Sequence, residues 1–283
     1  MSAVKHAIVL GSALVAICGL AVAAQAPLQP VKQDGEVITV VSGRLQLKAL
    51  LFRPTLDARA PAVLFHHGAG CMANEGPRIL GNRFADRGYV FLWVYRRGAG
   101  LSSGQGECAA QEIAAARAAK GEDAAMDVQF RLLTTTELED AIAGLAALRA
   151  LPGIDPGRIV IAGHSFGAQL AMLSAERDGG VRAVLGFAGA ARAWSRSEKI
   201  RARLIQAVGA LKAPIYLGYA EDDNAEPGRV LAAELARLGK RHQLAIYPTG
   251  GHGFLFRADH PSEADIFRFL SEFARPSKLE LFE

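Results

Sequence analysis

"RIVIAGHSFGAQLAMLSAER", Arg158–Arg177, joins two different patterns at a turn. "RIVIAG" is a short apolar run with β-branched residues, the mark of a buried strand. "FGAQLAMLSAER" is built of good helix formers. Between them lies Gly163–His164–Ser165–Phe166–Gly167, a Gly-x-Ser-x-Gly pattern. A strand that turns sharply into a helix lifts the central side chain above the sheet edge and aims helix N–H groups at it. The flanking glycines are needed because the neighbouring chain passes too close for a side chain.

The same pattern occurs at Gly100–Gly104, "GLSSG". The chain holds 30 Gly among 283 residues, so the bare pattern is weak evidence and its setting decides. Ser102 follows a strand, but "GQGEC" comes next instead of a helix start, and "RRGAGLSSG" reads as a glycine-rich loop. Ser165 is the expected nucleophile.

Working outward, "EVITVVSG" and "RLQLKALLFRP" read as two strands of a hairpin turning near Ser42–Gly43. Strands and helices then alternate. The strands are "PAVLFHHG", "YVFLWVYR", "RIVIAG", "VRAVLGFAG", "APIYLGYA" and "HQLAIYP"; the helices include "RILGNRFADRG", "GRVLAAELARLG" and "PSEADIFRFLSEFAR". Such alternation predicts an α/β fold, a mostly parallel central sheet with helices on both faces and an N-terminal antiparallel hairpin. Before "RIVIAG", the stretch "TELEDAIAGLAALRAL" is a crossover helix with Leu138, Ile142, Leu145 and Leu148 on one stripe. Residues 105–135 are Ala-rich and polar. They form a helical insertion, either a loose surface excursion or a cap over the site.

The serine's partners must sit at strand ends on the same rim. "YAEDDNAEP" offers Glu221, Asp222 and Asp223, and "YPTGGHGF" offers His252 between glycines. The other histidines are poorer choices: His242 begins a strand, His260 opens a helix before Pro261, and His66 and His67 precede the serine. A serine hydroxyl becomes a useful nucleophile when an imidazole takes its proton, and an acid holds that imidazole in the right tautomer. "FHHGAG" runs from a strand into a glycine loop, so the expected oxyanion donors are the N–H groups of Phe166 and Ala69. His66, Arg96, Arg97 and Glu107 are candidate pocket residues, and two cations there would suit an anionic substrate.

"HHGAG", "YRRGAGLSSG", "GHSFG", "EDDNAEP" and "GGHGF", in that order, resemble the α/β-hydrolase superfamily, within it the dienelactone hydrolase and prolyl oligopeptidase-like branch. The resemblance covers residues 36–275 and implies an α/β-hydrolase fold with a triad in the order serine, acid, histidine. It implies an acid four residues before a proline, so Pro227 selects Asp223 over Asp222. Dienelactone hydrolases proper carry a cysteine nucleophile; serine here turns the expectation toward an esterase. The propeller of a prolyl oligopeptidase is not expected. The implied activity is hydrolysis of a carboxylic ester or thioester, with a small-molecule ester or a short acyl or peptide substrate. A small peptidase or amidase, an acyltransferase or cofactor-free haloperoxidase, and a non-catalytic binding protein are the alternatives.

The ends and the composition set the remaining bounds. "MSAVKH", then "AIVLGSALVAICGLAV", then "AVAAQAP" follow the order of a secretory signal peptide, cleaved near Ala24; the rival reading is an uncleaved membrane anchor, for which the apolar run is short. The expected organisation is therefore a signal peptide over 1–24, a linker over 25–35, the hydrolase domain over 36–275 and a tail over 276–283. Such a protein is exported, periplasmic or secreted, without stable membrane association once cleaved. Of the 3 Cys, Cys71 and Cys108 remain. Both belong to loops on one rim, and export favours a disulfide between them over two free thiols. A net charge of +4 without a run of like charges gives no nucleic-acid footprint. No HExxH-type cluster is visible, and "HHGAGCMAN" lacks Gly-x-Gly-x-x-Gly, so neither metal nor cofactor is expected.

Overall fold

The computed structural model describes residues 33–55 and 59–276; the expected signal segment, linker residues 25–32 and tail residues 277–283 lie outside these. β1 (Glu36–Ser42) and β2 (Leu45–Phe52) form an antiparallel hairpin with Ser42 opposite Leu45. Gly43 occupies the turn at φ 57°, a conformation glycine adopts without steric cost.

The alternating part follows as β3 (Ala60–His66), α1 (Gly76–Ala85), β4 (Val90–Val94), α2 (Ala109–Thr134) and α3 (Thr136–Ala150). After these come β5 (Ile154–His164), α4 (Phe166–Arg177), β6 (Ala183–Phe187) and α5 (Glu198–Ala210). The chain closes with β7 (Ile215–Ala220), α6 (Glu226–Arg237), β8 (His242–Tyr247) and α7 (Ser262–Phe273). The eight strands lie in the order β1-β2-β4-β3-β5-β6-β7-β8. β2 is antiparallel to β1 and β4; every pair from β4 to β8 is parallel. This is the α/β-hydrolase architecture.

Alternation along each strand divides the core in two. On β3, Ala62 and Leu64 face the layer containing Ile113, Leu138, Leu170, Leu204 and Leu231 of α2 to α6. Val63 and Phe65 face Leu80 and Phe84 of α1 and Ile266, Phe269 and Leu270 of α7. Both faces of the sheet are thus covered, which is why its strands read as continuous apolar runs. Each fully buried Leu or Phe adds about 2 kcal/mol by area removed from water.

On α3 the buried stripe is Leu138, Ala141, Leu145 and Leu148, while Ile142 is only half-buried. Ala141 shares this buried face, and Ile142 packs against the same core from its margin. The insertion is one long helical stretch, α2, broken at Gly121 (φ 86°, ψ −173°). Glycine is needed there because an L side chain rarely adopts that conformation. α2 packs on both α3 and α4.

Candidate active site

Parallel strands end on one rim, and the loops beyond β3, β5, β7 and β8 deliver the predicted residues to it. β5 ends at His164, and α4 begins at Phe166, leaving Ser165 alone at the turn with φ 59° and ψ −118°. A non-glycine residue in this region stores strain of about 1–3 kcal/mol and is found where geometry serves a site. The tightness of the turn is measurable at its glycines. A Cβ on Gly167 would lie 1.9 Å from the carbonyl oxygen of His66, and one on Gly163 would lie 2.1 Å from that of Gly167. Both are backbone contacts that no rotamer change relieves.

His252 Nε2 lies 2.8 Å from Ser165 Oγ, and His252 Nδ1 lies 2.6 Å from Asp223 Oδ2. An ionised carboxylate only accepts, so Nδ1 carries the proton and Nε2 is free to accept from the serine hydroxyl. Asp222 is turned elsewhere. Its Oδ1 and Oδ2 accept the N–H groups of Gly251 and Gly250 at 2.7 and 3.1 Å. Those bonds, the Gly251 one foremost, hold the Asp222 carboxyl below the usual carboxylate range. One carboxylate therefore meets the imidazole, and its neighbour fixes the glycine turn that presents it.

His164, the variable residue inside the motif, supports His252 from behind. Burial pushes its imidazole down to about 4, so the ring is neutral at ordinary pH. Its Nε2–H donates to the His252 carbonyl at 2.5 Å, and its ring meets that of His252 edge to face, with centroids 4.8 Å apart. Position inside the motif was its one sequence signal.

Ser102 is committed to structure. It is fully buried; its Oγ donates to the Tyr95 carbonyl at 2.7 Å and accepts the Lys48 N–H at 2.8 Å, pinning the loop after β4 to β2.

Ser165 and His252 open into a cavity of about 540 Å³ that Gly68, Ala69 and Phe166 also line. Phe166 is the first residue of α4, where the N–H has no intrahelical acceptor. Ala110, Ile113, Met126 and Gln129 of α2, which lie in the expected insertion, form one wall of this cavity. A disulfide joins Cys71, in the loop after β3, to Cys108, which immediately precedes α2.

The pocket cations differ from those expected. Arg117, Arg192 and Arg196 line the cavity. Glu122 accepts from both Arg117 (2.6 Å) and Arg196 (3.2 Å), which leaves Arg192 the least neutralised of the three. Arg96 is buried against Glu137, and Arg97 is bidentate with Asp140 at 2.9 and 2.7 Å. His66 is fully buried in β3, and Glu107 is exposed outside the cavity lining. The reason is packing: the carboxylates of α3 capture both arginines as the chain leaves β4, a long-range pairing invisible in local sequence. Among the described residues no group of three or more His, Cys, Asp or Glu is arranged to hold a metal ion.

A model of the dienelactone hydrolase family matches residues 47–268, most of the chain. The chain belongs to the dienelactone hydrolase family. Among solved structures it is similar to a candidate dienelactone hydrolase from Klebsiella pneumoniae (TM-score 0.62, 18% identity, 84% of this chain and 97% of that one). It is also similar to the Pyrococcus horikoshii acylaminoacyl peptidase (TM-score 0.63, 20% identity), covering 88% of this chain but 43% of the peptidase. At such identities the likeness is one of fold. A curated relative is the quorum-quenching protein AidA of Acinetobacter baumannii, 29% identical over 144 residues. That match spans 51% of this chain and 40% of AidA.

Proposed function

We propose that this dienelactone hydrolase family member is an exported serine hydrolase that cleaves carboxylic ester or thioester bonds through an acyl-enzyme on Ser165. The observation that carries the reading is the continuous chain Ser165 Oγ–His252 Nε2, 2.8 Å, and His252 Nδ1–Asp223 Oδ2, 2.6 Å. His252 takes the hydroxyl proton as Oγ attacks the carbonyl carbon, and Asp223 stabilises the resulting imidazolium. The N–H groups of Phe166 and Ala69 meet the developing oxyanion. Collapse expels the alcohol or thiol, which receives its proton from His252. Water then attacks the acyl-enzyme by the same route and frees Ser165.

Export rests on the charged, apolar, small-residue order of the first residues and agrees with a disulfide between Cys71 and Cys108. Terminal sequencing of the protein recovered from the producing cell's exterior or periplasm would then begin at Gln25; recovery from the cytosol with Met1 intact overturns export.

The reaction is tested by comparing kcat/KM on p-nitrophenyl esters, acyl thioesters and aminoacyl p-nitroanilides of matched acyl groups. Ester or thioester turnover exceeding anilide turnover supports the proposal. The opposite order makes the protein an amidase or peptidase, and turnover of none makes it a binding protein on this fold.

A further inference from the structure

The loop after β3 that presents Ala69 to the cavity is gripped through the carbonyl of Gly68. Arg96 Nη2 donates to that oxygen at 2.9 Å. His67 Nδ1 lies 2.7 Å from the same atom, and the backbone N–H of Arg96 donates to His67 Nε2 at 3.2 Å. With Nε2 occupied as an acceptor, the ring proton must sit on Nδ1, so His67 is a second donor to Gly68. Burial, aided by the nearby guanidinium, holds His67 well below its ordinary value and keeps the ring neutral, as this tautomer requires.

Arg96 is itself fixed. Its Nε donates to Glu137 Oε2 at 2.5 Å with both side chains 1% exposed, and its guanidinium lies 5.6 Å from the ring of Phe166. Further along the same loop, the Ala69 carbonyl accepts the Ala110 N–H at 3.2 Å and the Cys71 carbonyl accepts the Gly100 N–H at 2.7 Å. Gly68 meanwhile sits so near the nucleophile that a Cβ there would be 3.6 Å from Ser165 Cβ.

The Gly68 C=O and the Ala69 N–H belong to one planar trans peptide unit, in which the two bonds point in opposite directions. Pulling the oxygen toward buried Arg96 therefore turns the N–H away from Arg96, on a residue that lines the cavity. We infer that Arg96 and His67 are positioning residues for the reaction: by gripping the Gly68 carbonyl they aim the Ala69 N–H at the oxyanion, with Glu137 anchoring Arg96. This rests on the reading of Ser165 as nucleophile. It accounts for a buried charged pair beside a catalytic loop, an arrangement that stability alone does not favour over apolar packing.

The test uses the full exported chain and four variants. His67→Phe keeps a flat ring against Trp93 but removes the donor. Arg96→Met paired with Glu137→Met removes the grip without leaving a lone buried charge. Arg96→Lys retains a donor able to reach Gly68, and Ser165→Ala reports on the nucleophile. With a p-nitrophenyl ester, His67→Phe and the double variant should lose about 10- to 100-fold in kcat, short of the loss of a whole donor, with KM within about threefold. Affinity for an alkylboronic acid, which forms a tetrahedral adduct on the serine, should fall by the same factor as kcat/KM. The pH profile should keep its shape, and Arg96→Lys should recover part of the loss. A folded His67→Phe or double variant whose kcat stays within about twofold of wild type overturns the inference. So does a fall in kcat that leaves boronic acid affinity untouched. If the double variant does not fold, His67→Phe decides alone. Wild-type activity that survives Ser165→Ala instead refutes the nucleophile assignment itself.

Discussion

Exchanging Asp223 for Asn and, separately, Asp222 for Asn distinguishes two adjacent carboxylates with different work. Asp223 Oδ2 accepts the Nδ1 proton of His252 at 2.6 Å with only 11% of the Asp223 side chain exposed. An Asn amide in that place can donate to Nδ1, which moves the ring proton to Nε2 and points a donor at Ser165 Oγ. The serine then has no base. In the trypsin-like triad this tautomer error costs about 10⁴ in kcat, equivalent to about 5.5 kcal/mol of transition-state stabilisation. Asp222 touches neither ring nor serine; it binds the N–H groups of Gly250 and Gly251. An Asn there keeps one acceptor oxygen for the turn, so kcat should fall by less than about tenfold. The assay is steady-state hydrolysis of p-nitrophenyl butyrate between pH 6 and 9, with circular dichroism confirming that both variants fold. Loss confined to Asp223→Asn is expected. A larger loss in Asp222→Asn, or an Asp223→Asn enzyme within about tenfold of wild type, would refute the reasoning.

Other outcomes follow from the same structure. Ser102→Ala should leave the kinetics of p-nitrophenyl butyrate hydrolysis unchanged yet lower stability by about 1–3 kcal/mol in urea titration, because the Lys48 N–H and Tyr95 carbonyl lose their buried partner. His66, His67 and His164 are held neutral by burial, His66 down to about 3 and His164 to about 4. Their folded values lie below the unfolded 6.5, so the unfolded chain binds more protons and stability falls as pH drops through 6.5 toward 4. His66 and His164 each add about 1.4 kcal/mol of loss per pH unit in that window, and His67 acts in the same direction; a urea midpoint flat from pH 7 to 5 would contradict this. Reducing the Cys71–Cys108 disulfide, whose sequence separation is 37, should cost about 4 kcal/mol of stability by the loop-entropy relation. Thermal melts with and without reductant check it.

The elbow was the most legible part. "FGAQLAMLSAER" coincides with α4, Phe166–Arg177, because a run of helix formers begins directly after the turn residue Ser165. The order of the parallel strands and the edge hairpin could likewise be read from apolar runs and turn residues. Pro227 does follow Asp223 at the expected spacing, and the structure supplies the physical basis: Asp223 reaches the ring while Asp222 reaches the glycine amides. The partners of Arg96 and Arg97 could not be read, since Glu137 and Asp140 lie 41 and 43 residues away and meet them only through packing of α3. For the same reason the cavity's cations, Arg117, Arg192 and Arg196, were hidden: their approach depends on how α2 and the loop after β6 fold over the rim.

The most direct test of the account is active-site labelling of the mature protein with a fluorophosphonate probe, followed by peptide mapping in the mass spectrometer. The account predicts one labelled peptide carrying the adduct on Ser165, with labelling abolished in both Ser165→Ala and His252→Ala. An adduct on Ser102, or no adduct on a folded protein, would contradict it.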